Sequence, residues 1–128
     1  MEYYNLGLNY GYLTDKVPQE ILNNLKPDIN KLLNNFNSGI KYNDKLEGEI
    51  KHEYELLPTP LLSNYIESLC RAFDNKFQFV NNNFPHLRNM KFDHLWVNFQ
   101  QKHEYNPIHF HEGVFSFVIW YQIPYTFE

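Results

Sequence analysis

The sequence predicts an α+β fold, with two N-terminal helices packed on an antiparallel sheet built from the C-terminal third. Three observations carry this. Residues 18–35 and 60–77 repeat apolar side chains at helical spacing. After Pro85 the apolar period changes to two, as a strand requires. Residues 115–124 are apolar on both parities, which predicts a strand covered on both faces, as in a sandwich or barrel.

In residues 2–13, Leu6, Leu8, Tyr10 and Tyr12 share one parity, which predicts a short strand. Thr14 or Asp15 can cap the first helix, and Pro18 suits its opening turn. Val17, Ile21, Leu22, Leu25, Ile29, Leu32 and Leu33 form its apolar stripe, and Pro27 should kink or split it. Asn37-Ser38-Gly39 closes it. Residues 40–57 are polar and predict an ordered loop with at most a short strand; Lys45-Leu46-Glu47-Gly48-Glu49-Ile50 is their most distinctive piece. Thr59-Pro60 starts a second helix, a capping hydroxyl followed by proline at the first helical position. Cys70 falls on that helix's apolar stripe, so a buried, inert thiol is expected. Asn81-Asn82-Asn83-Phe84-Pro85 predicts a turn. Residues 91–101 then alternate, Leu95, Val97 and Phe99 against His94, Trp96, Asn98 and Gln100.

The 128 residues suffice for one domain with one core. Aromatic residues make up 18%, which argues against a disordered chain. A net charge of -4 with no basic patch argues against nucleic acid as a partner. No stretch predicts a membrane span or a secretory leader. A single cysteine cannot form an internal disulfide, so a reducing, cytoplasmic setting is expected.

Chemistry concentrates at Asn106-Pro107-Ile108-His109-Phe110-His111-Glu112-Gly113. In extended backbone His109 and His111 project to the same face. Neutral imidazole is a common ligand for iron, zinc, copper and nickel, so the pair is the candidate metal grip. Glu112 could add a carboxylate if the chain bends at Gly113, although a plain turn carboxylate is the simpler expectation. His52, His86, His94 and His103 are most simply loop histidines. Two imidazoles make an incomplete site, and His94 or His103 could supply a third, giving a cupin-like all-histidine centre.

Trp96-Val97-Asn98-Phe99, Asn106-Pro107, His109-Phe110-His111 and Ser116-Phe117-Val118-Ile119-Trp120-Tyr121 together resemble the iron(II)/2-oxoglutarate-dependent oxygenases. The likeness is to the prolyl-hydroxylase-like oxygenases of marine phages and bacteria. Leu46-Glu47-Gly48-Glu49-Ile50 with Glu53-Tyr54 resembles their upstream block. The resemblance implies a double-stranded β-helix (jelly-roll) core with helices outside. It implies Fe(II) and 2-oxoglutarate as cofactors, and hydroxylation of an unactivated C–H with release of succinate and carbon dioxide. His109 matches the first metal ligand, and His111 stands where a carboxylate is usual. Trp96, Asn98 and Gln100 would line the pocket, and Tyr121 would hydrogen-bond the small-molecule co-substrate.

The distal histidine and the basic residue that grips 2-oxoglutarate would lie beyond residue 128. The expectation is therefore a single oxygenase-like domain over residues 1–128 that lacks its C-terminal strands. Such an incomplete jelly-roll exposes a sheet edge, so self-association is expected. Two further functions stay open: a non-catalytic jelly-roll binding protein of phage accessory type, and a cupin-like metal binder that needs no 2-oxoglutarate.

Overall fold

In the computed structural model, residues 1–4, 11–109 and 111–123 are described. The chain is mixed α and β: β1 (Glu2–Tyr4), β2 (Tyr12–Thr14), α1 (Gln19–Asn34), β3 (Glu53–Glu55), α2 (Pro60–Phe77), α3 (Phe79–Asn83) and β4 (Trp96–Asn98). Single 3-10 turns lie at Phe36–Ser38 and Asn43–Lys45.

The helical periodicity explains the core. Ile21, Leu25 and Ile29 of α1 meet Leu62 and Ile66 of α2 in one buried cluster. Leu62 is fully buried. The Thr59 hydroxyl accepts from the Leu62 N–H at 3.2 Å and donates to Asn24 Oδ1 at 2.6 Å. One side chain thus caps α2 and ties it to α1. Cys70 is half-buried beside this cluster, and burial pushes its thiol upward, as an inert packing residue requires.

Several details depart from expectation. Pro18, not Thr14 or Asp15, is the N-cap of α1, and no side chain caps it. Its carbonyl accepts from the Ile21 and Leu22 N–H groups. Asp15 is engaged elsewhere, by the N-terminal ammonium at 3.3 Å and the Tyr65 hydroxyl at 3.1 Å. Pro27 does not split α1, because the buried stripe on both sides of it holds the two halves to one surface. Leu33, assigned to that stripe, is 52% exposed. The asparagine cluster is helical: Asn81, Asn82 and Asn83 end α3, whose first turn is held by Asp74 Oδ1 accepting from the Val80 N–H.

The described strands form two small antiparallel sheets, β1–β2 and β3–β4. The N-terminal strand is half of a hairpin, with Glu2 opposite Thr14 and Tyr4 opposite Tyr12; Leu6, Leu8 and Tyr10 lie outside the described residues. In the second sheet Glu53 faces Asn98, Tyr54 faces Val97 and Glu55 faces Trp96. Hydrogen bonds from Leu56 N–H to the Leu95 carbonyl and from Phe99 N–H to the His52 carbonyl continue the ladder. On the other side of β3, Lys41 bridges Tyr54. The alternation in residues 91–101 is realised. Leu95, Val97 and Phe99 pack toward the helical cluster, although only residues 96–98 are strand.

The expected strand over residues 115–124 is not formed in its described part, residues 115–123, and Pro124 lies outside the described residues. Nor is that run covered on both faces: Val118 is 71% and Trp120 70% exposed, while Ile119 and Tyr121 pack on the core. Among the described residues no strand lies beside it to supply ladder hydrogen bonds and the second cover. Among the described residues no helix is long and apolar enough to cross a membrane.

Candidate metal centre

The histidine pair is positioned from beneath by β4 and from the side by a backbone strap. Register places Glu53, Glu55, Trp96 and Asn98 on one face of the β3–β4 sheet, because directly opposed residues share a face. On that face Tyr42 stacks on Trp96, ring centroids 5.4 Å apart and 14° from parallel. Lys45 Nζ sits 5.0 Å over the Tyr42 ring. On Trp96 in turn lies His111, at 6.1 Å and 21°. The His111 ring therefore ends an aromatic column rooted in the sheet.

The strap is the segment around Gly48. Glu49 N–H donates to the Tyr105 carbonyl at 2.9 Å. Lys51 N–H donates to Glu104 Oε1 at 3.1 Å, and Gln101 N–H to Glu104 Oε2 at 2.8 Å. The φ of Gly48 is +120°, and a Cβ there would stand 2.2 Å from Asn106 Oδ1. Only glycine lets the strap lie this close to the residue before Pro107. The sequence flagged this segment without giving it a role; in the structure it is tied to residues 104–106, the turn that precedes His109.

His109 and His111 converge. Their Nε2 atoms are 3.0 Å apart, with ring centroids at 4.7 Å. His109 Nδ1 donates to the Pro107 carbonyl at 2.7 Å. A neutral imidazole carries one N–H, so the His109 Nε2 presents a lone pair toward His111. Donation of the distal N–H to a carbonyl is also how metal-bound histidines are commonly oriented. An ion about 2.1 Å from each nitrogen would see the two at roughly 90°. That is the angle between adjacent ligands of an octahedral or square-planar ion. At 3.0 Å the His111 Nε2–H donates to the His109 Nε2, and with that proton displaced the pair could take two adjacent positions on a divalent metal ion.

The rest of the predicted site does not gather there. Among the described residues no group of three His, Cys, Asp or Glu side chains could hold an ion. His94 pairs with Asp93 at 3.4 Å and tilts against Tyr42, and His103 sits in a turn with φ +69°. Neither completes an all-histidine centre. Gly113 does bend the chain, at φ +100°, yet Glu112 makes no third ligand. His52 stacks on Phe36 at 4.2 Å, inside an aromatic cluster with Tyr54 and Phe99.

Of the residues expected to bind the co-substrate, Asn98 is exposed at the end of β4. The Gln100 amide donates to the Glu104 carbonyl at 2.6 Å. Tyr121 lies against α1, in an open groove of about 280 Å³ lined by Gln19, Leu22, Asn23, Lys26 and Gln122. In this arrangement Asn98, Gln100 and Tyr121 are turned to different surroundings. Comparison with family models, curated proteins and solved structures found no match for this chain.

Proposed function

We propose that this chain is a metal-binding domain of the iron(II)/2-oxoglutarate-dependent oxygenase type, built on a double-stranded β-helix (jelly-roll). The observation that carries the reading is the 3.0 Å approach of His109 Nε2 to His111 Nε2, with His109 Nδ1 satisfied by the Pro107 carbonyl. The sequence resemblance over residues 96–125 adds the iron and the co-substrate. Iron held there would have open positions for dioxygen and a 2-oxo acid, the chemistry that hydroxylates an unactivated C–H and releases succinate and carbon dioxide. The chain's own part is to present two neutral imidazoles at a fixed angle, with Trp96 and Pro107 setting the ring orientations.

A second reading, a metal binder without 2-oxoglutarate, draws support from the dispersal of Asn98, Gln100 and Tyr121. One experiment separates the two. Trp120→Phe leaves Trp96 as the remaining tryptophan. Anaerobic Fe(II) should then quench its fluorescence through the His111 stack. Adding 2-oxoglutarate should next develop a visible charge-transfer band. Quenching without the band supports the metal binder. Absence of quenching, unchanged by His109→Ala with His111→Ala, rejects both.

A further inference from the structure

We propose that the His109–His111 pair is half of a metal site that a second copy of this chain completes, four imidazoles around one Ni(II) or Cu(II) ion. The inference rests on the metal-binding reading above and goes beyond it in naming the partner. Both rings are exposed, and Ile108 immediately before His109 is fully exposed, so the converging nitrogens lie open to a second molecule. Two ligands alone leave a divalent ion coordinatively unsaturated, and no third protein ligand is present among the described residues. A second pair with the same 3.0 Å separation supplies two more nitrogens at the same angle of roughly 90°. Two such pairs facing across one ion make a four-nitrogen plane, the geometry that Cu(II) and Ni(II) favour.

A two-fold axis through the ion makes the contact isologous, so each copy offers the surface it receives. The neighbouring chain suits such a contact. Residues 114–123 carry no charged side chain, and among the described residues they form no backbone–backbone hydrogen bond. Val118 and Trp120 stand exposed along that run. No like charges are therefore opposed when two copies approach through it.

The test titrates Ni(II) alone into Trp120→Phe and follows Trp96 fluorescence beside sedimentation mass. The expected result is a break at half an equivalent of nickel, where mass doubles. Excess nickel should then return the mass to one chain, because each pair loads its own ion, and chelator should reverse the pairing. His111→Ala, an exposed change, should abolish the doubling. A break at one equivalent with unchanged mass overturns the shared site but leaves the metal-binding reading standing. Absence of quenching at any nickel concentration removes both. A dimer that forms without metal and ignores chelator also overturns the proposal.

Discussion

The indole of Trp96 lies under the imidazole of His111, 6.1 Å between centroids and 21° from parallel. The contact fixes a candidate ligand from a strand fifteen residues upstream. The same indole also stacks with Tyr42, ring centroids 5.4 Å apart. Trp96 thereby becomes a positioning residue whose loss should be read in metal affinity. Trp96→Ala should weaken Ni(II) or Fe(II) binding about tenfold, within the range seen when groups that orient metal ligands are removed. Trp96→Phe keeps an aromatic platform and should retain most of the affinity. Calorimetric titration measures both; equal affinity of the alanine variant and the parent would remove the role assigned to the stack.

Gly48→Ala probes the strap from the opposite side. Its φ of +120° and the 2.2 Å approach to Asn106 Oδ1 leave no room for a methyl group. The strap must retreat, and the turn that launches His109 moves with it. Metal affinity should fall about 10- to 100-fold, and stability by about 1–3 kcal/mol. Deleting the Asn106 amide with Asn106→Gly in the same chain should recover part of the loss. If Gly48→Ala binds metal like the parent, the strap does not position the pair.

Glu53 is 2% exposed, and its Oε1 has no hydrogen-bond partner. Burial first, and Glu104 second, hold its carboxyl above the usual carboxylate range. The folded state therefore binds this proton more tightly than the unfolded chain does. Its contribution is fully present below the unfolded value of about 4.3 and is lost as pH rises through the raised folded value. Glu53→Gln keeps the shape without the charge. It should be more stable than the parent at neutral pH by about 1–3 kcal/mol, with the difference vanishing in acid. Urea unfolding at acidic and neutral pH measures this. A glutamine variant that is weaker at neutral pH would show that the carboxylate is stabilised by a partner.

Tyr65 donates to Asp15 Oδ2 at 3.1 Å, and burial, with help from that bond, pushes its phenol up to about 12. The bond ties α2 to the segment before α1. Its contribution is complete below the ordinary tyrosine value of about 10 and disappears as pH climbs through about 12. Tyr65→Phe should cost about 1 kcal/mol at neutral pH. A tyrosinate that forms near pH 12 in an ultraviolet titration should vanish with it. Full stability in the phenylalanine variant would mean the hydroxyl contributes nothing there.

Local signals in the sequence determined helices α1 and α2, the cap at Thr59, the faces of residues 95–99 and the convergence of His109 with His111. Each depends on neighbours within a few residues, through periodicity, a capping hydroxyl or a two-residue step. Contacts between distant segments decided the rest. The asparagine cluster became helical because Asp74 holds the first turn of α3, and Asp15 left the cap of α1 for Tyr65 and the N-terminal ammonium. Val118 and Trp120 turned outward where, among the described residues, no second strand covers them. Gly48 acquired its role only when Asn106, far along the chain, came to rest against it. Residue pattern records which faces are apolar, but the partner of a face, a bend or a carboxylate is set by what tertiary packing brings beside it.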